Sequence, residues 1–213
     1  MIAINSLPSA AALFSVPAVT YAAAMDHVPE DSALMLRYRD GDVSAFEILY
    51  RRHNDALYRY LLRLCQNRDT AEDVFQEVWG KIIKARERYR PTAKFTTFLY
   101  RVAHNCFIDH LRRNQRHDRS VNIDPDTQHA VNVDPDAEID RSLARQRLES
   151  ALKDLPDEQR DVFLLYEEAD LSLDEIALVT GVNRETAKSR LRYAVNKLKA
   201  AISAQIADSL ETS

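Results

Sequence analysis

The sequence predicts an all-α chain: two small helical domains joined by a flexible acidic linker. Three observations predict it. Apolar residues recur at three- and four-residue steps nearly everywhere, the period of a helix with one buried face. Only three glycines occur in 213 residues, and helix-capping residues stand ahead of several apolar runs. The formal net charge of −4 also hides a segregation of charge along the chain. Residues 31–120 are predominantly basic, and the stretch from Arg184 to Lys199 is basic with only Glu185 opposing it. Between them, Asn122 to Asp140 holds Asp124, Asp126, Asp134, Asp136, Glu138 and Asp140 without a single Lys or Arg. Blocks of opposite sign imply separate jobs, the basic faces being suited to phosphate.

Residues 1–30 are expected to be a disordered N-terminal extension, or to lie upstream of a true start at Met25. Their Ala-rich run ends in Ala22-Ala23-Ala24 like a secretion signal. No Lys or Arg precedes it, however, and Pro8 and Pro17 interrupt it, so it neither fits a signal peptide nor inserts in a membrane. The first domain is expected over 31–116. A short helix spans about Ser32 to Arg39 and stops at Gly41. Ser44-Ala-Phe-Glu47 has a capping-box pattern, followed by an apolar stripe of Phe46, Leu49, Tyr50, Leu57, Tyr60, Leu61 and Leu64. Asp69 is placed to cap a second long helix with Val74, Phe75, Val78, Trp79, Ile82 and Ile83 inward. After Pro91, a third runs from about Thr96 to Arg116 with Leu99, Val102, Ala103, Cys106, Phe107 and Leu111 inward.

The linker, 117–141, repeats a short unit at Val121–Asp126 and Val131–Asp136, and its Asp-Pro steps and polarity oppose a packed core. The second domain is expected over 142–204, with a tail at 205–213. Pro156, Asp157 and Glu158 suit a helix start, with Val162, Phe163, Leu165 and Tyr166 on its apolar side. Ser172-Leu-Asp-Glu175 caps a short helix that Gly181 stops, and Asn183 caps a last helix running to about Ile202. This is the layout of a helix-turn-helix, whose second helix enters the major groove. Its core face is Ala187, Leu191, Ala194, Val195 and Leu198; the other side presents Arg184, Glu185, Lys188, Ser189, Arg192 and Asn196. Early residues of such a helix reach base edges and later ones meet phosphate.

Two further faces bear charge. The third helix of the first domain offers Thr97, Arg101, His104 and Asn105 toward solvent, and Arg112, Arg113, Arg116 and Arg119 at its end. Phe95, Phe98 and Tyr100 interleave aromatics, an arrangement that suits single-stranded nucleic acid but is equally read as core. The second helix exposes an acidic strip, Glu72, Asp73, Gln76 and Glu77, which is either solvated or docks a basic protein surface. Cys65 and Cys106 have no paired spacing, which points to a reducing, cytoplasmic compartment. His104 and Cys106 are two positions apart on a helix, about 200° around it, so no metal or cofactor is expected.

The ordered motifs resemble those of a known family. Asp69-Thr-Ala-Glu-Asp-Val-Phe-Gln-Glu-Val-Trp79 is similar to the "DAEDLxQExF" segment of sigma factor region 2.2. Phe95-Thr-Thr-Phe-Leu-Tyr-Arg-Val-Ala-His-Asn105 and Ile108-Asp-His-Leu-Arg-Arg113 resemble the "FxxWLYRIARN…IDHLRR" pattern of regions 2.3 and 2.4 in extracytoplasmic-function (ECF) sigma factors. Leu155–Phe163 resembles "LPxxxRxVF" of region 4.1; Leu171–Ala177 and Thr186–Leu191 resemble "LSxxEIA" and "TVKSRL" of region 4.2. Phe98 stands where the family usually has Trp, and His104 where it usually has Arg.

The resemblance implies a non-enzymatic transcription initiation factor, with a region 2 bundle and a region 4 helix-turn-helix. Asp73, Gln76 and Glu77 would meet the β′ clamp helices of RNA polymerase core, and region 4 the β flap. Lys94, Thr97, Phe98, Arg101, His104 and Asn105 would open and read the −10 element, with Arg112, Arg113 and Arg116 on phosphates. Arg184, Glu185, Lys188, Ser189 and Arg192 would read the −35 element. The acidic linker would thread the positive channels of the polymerase, and an anti-sigma protein would regulate the factor. The alternative is a stand-alone helix-turn-helix regulator, which leaves the acidic strip unexplained. An enzyme is disfavoured because the carboxylates lie along one helix and no nucleophile–base pair accompanies them.

Overall fold

The computed structural model describes residues 30–118 and 146–211, with side chains at 30–114 and 146–204. The expectations for residues 1–29, for nearly all of the linker with its repeat, and for Arg119 and the side chain of Arg116 lie outside the described residues. Among the described residues every regular element is helical.

The first lobe contains α1 (Asp31–Arg39), α2 (Val43–Cys65), α3 (Arg68–Ala85), a 3₁₀ turn (Arg86–Arg88) and α4 (Phe95–Asp118). The expected cap of α2 at Ser44 is corrected. Asp42 is the N-cap, accepting from the backbone N–H groups of Ser44 at 3.1 Å and Ala45 at 3.4 Å. A carboxylate makes the stronger, charge-assisted cap, and Arg37 holds it in place at 2.6 Å. With Ser44 and Arg37 both donating to it, the Asp42 carboxyl is held below its ordinary pKa. The cap of α3 shifts likewise: Asn67 accepts from the Thr70 N–H at 2.9 Å, and Asp69 lies inside the first turn, where its charge complements the helix dipole.

The inward stripes pack as their periodicity demands. Leu49, Leu57, Tyr60, Leu61 and Leu64 of α2 meet Val74, Val78 and Ile82 of α3 and Leu99, Ala103 and Cys106 of α4, all buried. Full burial of each such aliphatic is worth about 1.5–3 kcal/mol. Tyr50 and Ile83, expected inward, are exposed, while Phe46, Phe75 and Trp79 form an aromatic cluster beside Tyr50.

The second lobe contains α5 (146–153), α6 (Asp157–Glu167), α7 (Leu173–Thr180) and α8 (Arg184–Glu211). Pro156 is the N-cap residue of α6. The expected apolar side of that helix is corrected: Val162, Leu164 and Leu165 are buried, Phe163 is half-buried and Tyr166 is exposed. The reason is tertiary, because α6 packs on α2 as well as on α8 and so buries two sides. Ser172 and Glu175 form the capping box of α7, and Gly181 ends it with φ +70°, the left-handed conformation that glycine adopts without a Cβ penalty. Asn183 accepts from the Thr186 N–H at 2.7 Å at the start of α8, which continues past Ile202 to Glu211. The described residues from Asp31 onward form one compact unit, with α6 against α2 and α7 against α4.

Candidate nucleic-acid interface

On α3, Asp73 and Gln76 are exposed side by side, one turn apart. Glu77 is half-buried and differently employed. Its carboxylate accepts from Arg113 at 2.9 Å and from Lys81 at 2.9 Å. Partial burial alone would raise its pKa, but these two cations outweigh it and the carboxyl is held below its ordinary value. The structure thus joins Glu77 to Arg113, a residue expected on phosphate.

Along α4 the expected face divides in two. Arg101, Asn105 and Arg112 are exposed, with Arg112 within 3.9 Å of Asp109. Asn105 and Arg112, together with Lys81, His104, Asp109 and Thr180, line a polar cleft of about 570 Å³ where α3, α4 and the end of α7 meet. Phe98 is half-buried against Tyr89 and Phe95, with ring centroids 5.2 and 6.2 Å away. Thr97, expected on the solvent face, is corrected: it is 3 % exposed, because α7 packs over it. Its hydroxyl donates to Glu175 at 3.3 Å, and Lys94 pairs with the same carboxylate oxygen at 3.1 Å. His104 is turned inward as well, its Nδ1 2.7 Å from the buried Asp161 carboxylate.

In the second lobe, α7 and α8 form the two helices of the reader, separated by the Gly181 turn. Ala187, Ala194 and Leu198 are buried, leaving Arg184, Glu185, Lys188 and Arg192 exposed and Ser189 half-buried. Arg184 is anchored to Asp174 at 3.1 Å, and the Arg192 guanidinium lies over the Tyr193 ring, 5.2 Å from its centroid. A helix N-terminus bearing exposed cations is suited to base edges and flanking phosphates.

The sequence reasoning missed Asp161, Glu168 and Glu175 as functional groups beyond capping. Asp161 accepts from the Tyr60 hydroxyl at 2.7 Å, and Glu168 pairs with Arg59 at 3.3 Å and with Arg63. Their partners lie far away in the chain, so no local signal marks them.

A capped helix-turn-helix in one lobe, with a helix bearing exposed cations packed on one bearing exposed acidic side chains in the other, defines a class of helical protein suited to binding DNA. Its family follows from comparison with known proteins. The family profile "Sigma-70 region 2" matches residues 49–117, and "Sigma-70, region 4" matches residues 151–200. The chain is 33% identical over 165 residues to the RNA polymerase sigma factor CarQ of Myxococcus xanthus, covering 78% of this chain and 93% of that one. It is 31% identical over 163 residues to the ECF RNA polymerase sigma factor SigE of Mycolicibacterium smegmatis, covering 75% of this chain and 63% of that protein. Its fold is shared with the sigma factor RpoE of Bartonella quintana, solved in complex with the anti-sigma factor NepR, at a TM-score of 0.64 and 22% identity over 74% of this chain and 96% of that one. The chain belongs to the sigma-70 family, as an ECF-type sigma factor that directs RNA polymerase to promoters. That membership accounts for both lobes, which the stand-alone regulator does not.

Proposed function

We propose that the two lobes divide promoter recognition between them, 31–116 serving core binding and the −10 element and 142–204 the −35 element. Asp73 and Gln76, with the half-buried Glu77 behind them, form the docking strip for the β′ clamp helices. Region 4 meets the β flap. Arg101, Asn105 and Arg112, with Lys94, Thr97, Phe98, His104, Arg113 and Arg116, form the −10 face. Arg184, Glu185, Lys188, Ser189 and Arg192 read the −35 element. The protein acts without catalysis in the cytoplasm, as a dissociable subunit held by an anti-sigma partner, a reading supported by the anti-sigma complex of the structural neighbour.

The observation that carries the docking assignment is the exposure of Asp73 and Gln76 on a helix whose other side is wholly committed to the core. Removing them leaves the fold intact, since exposed polar side chains contribute within about 0.5 kcal/mol. The test is binding to purified polymerase core by the wild type and by Asp73→Ala/Gln76→Ala. Loss of core binding with unchanged helicity is expected; a variant that binds core like the wild type removes the strip from the interface.

A further inference from the structure

The outward side of α8 carries two rows of side chains at four-residue steps, so that the members of each row stand one above another. One row is Arg184, Lys188 and Arg192. The other is Glu185, Ser189 and Tyr193, and the motif at Thr186–Leu191 ends before its last member. Tyr193 is 55 % exposed although Ala194 beside it is buried. Its ring is engaged by the neighbouring row: the Arg192 guanidinium lies over it, 5.2 Å from the ring centroid.

The arginines of α8 are held in different ways. Arg184 pairs with Asp174 at 3.1 Å, and Arg190 pairs with Glu158 of α6. Both spend charge and donors on a carboxylate of the same chain. Arg192 is exposed and rests on an aromatic face instead. A ring quadrupole attracts and orients a cation but carries no net charge and no carboxylate oxygen. The guanidinium therefore keeps its full charge and its N–H fork for another acceptor.

We propose that Tyr193 is a positioning residue of the DNA face: its ring holds the Arg192 guanidinium ready for a phosphate of the duplex without neutralising it. The inference rests on the assignment of α8 to the −35 element made above. An arginine on a free stem loses rotamer freedom when it takes a phosphate, and that loss is subtracted from affinity. A stack already formed in the free protein removes part of the loss. Tyr193 thus acts through Arg192 and strengthens a contact that carries no sequence information.

The test uses the full chain and a fluorescein-labelled duplex of arbitrary sequence, with binding followed by anisotropy at several salt concentrations. Tyr193→Ala is expected to weaken binding by about two- to fivefold, the range for an exposed cation–π contact. Its slope of log affinity against log salt should match the wild type, because the charge remains; Arg192→Ala should reduce that slope. Tyr193→Phe should bind like the wild type, since the ring is kept, and Tyr193→Leu should resemble the alanine variant. In an Arg192→Ala background, Tyr193→Ala should have no further effect. Helicity should be unchanged throughout, because the side chain is exposed and alanine is the better helix former. Equal losses in Tyr193→Phe and Tyr193→Ala would place the effect in the hydroxyl and overturn the stack. A loss that persists in the Arg192→Ala background would overturn the positioning role as well. If Tyr193→Ala binds like the wild type while Arg184→Ala/Lys188→Ala binds weakly, the positioning role fails and the assignment of α8 stands. If Arg184→Ala/Lys188→Ala also binds like the wild type, the assignment itself fails and the role of Tyr193 falls with it.

Discussion

The contact between Tyr60 and Asp161 provides a quantitative test of whether the lobes are packed in solution. The Tyr60 side chain is fully buried and Asp161 is 3 % exposed, and they meet at 2.7 Å. A hydrogen bond from a neutral donor to a buried carboxylate is worth about 1.5–3 kcal/mol, so Tyr60→Phe should cost that much. Asp161→Ala should cost more, about 2–6 kcal/mol, because it strands both the Tyr60 hydroxyl and the His104 ring nitrogen at about 1–3 kcal/mol each. In the double variant no hydroxyl is left stranded, so the costs should fall short of their sum by about 1.5–3 kcal/mol. Urea unfolding provides the assay, with a useful asymmetry. Trp79 is the sole tryptophan and lies in the first lobe, so its fluorescence follows that lobe while far-ultraviolet circular dichroism follows both. The wild type should unfold with the two signals coincident; Asp161→Ala should separate them, as the lobes lose their coupling. A coupling energy within about 0.5 kcal/mol of zero would show that the hydroxyl and carboxylate do not meet, and would refute the packed arrangement.

Alkaline pH should weaken the same region. Burial, reinforced by the neighbouring Asp161, holds the Tyr60 hydroxyl well above its ordinary pKa of 10.0, and burial pushes Tyr100 up to about 12. Both raised values mean that stability is intact below pH 10 and declines as pH rises toward about 12, where the unfolded chain has already released both protons; urea midpoints across that range check it. Gly181→Ala should cost about 1 kcal/mol through the backbone alone, since φ is +70° and no atom lies within 4 Å of the added Cβ, and the shift should appear in the dichroism midpoint. Arg192→Ala, about two turns into α8 and so past its base-reading start, should weaken duplex binding equally across sequences and reduce the slope of log affinity against log salt by about 1 in a titration with varied salt.

Most of the fold was legible because its signals are local. The Ser172–Glu175 capping box, the Gly181 stop and the Asn183 cap each involve residues within three positions of one another, and all three form as the sequence indicates. The stripes on α2, α3 and α4 were legible for the same reason, since a period of 3.6 needs no knowledge of the partner. Errors occurred where two local signals competed or a distant element intervened. Ser44 and Asp42 both suit the cap of α2, and a carboxylate prevails over a hydroxyl two positions further on. Thr97 lies on the polar side of α4 but is buried by α7, whose Glu175 is 78 positions further along the chain. Nothing near Tyr60 indicates Asp161, 101 positions away, or that an apolar helix face would end in a buried carboxylate.

If the proposed DNA faces are right, the internal pairing also bears on how a protein of net charge −4 would discriminate among DNA sequences. Several cations assigned to DNA already hold a carboxylate of the same chain: Lys94 with Glu175, Arg113 with Glu77, Arg184 with Asp174. A phosphate must displace that carboxylate, and the exchange gains little Coulomb energy because one anion replaces another. Non-specific binding, which rests almost wholly on such phosphate contacts and the counterions they release, is therefore weakened most. Contacts that only the correct promoter supplies, to base edges and to an opened strand, are not offset in this way. On the proposed assignment the internal carboxylates would lower affinity for arbitrary duplex more than for the promoter, and the salt dependence of binding should then fall short of what the number of basic residues at the interface implies. A chain with the same reading groups but no internal partners would bind more tightly and discriminate less.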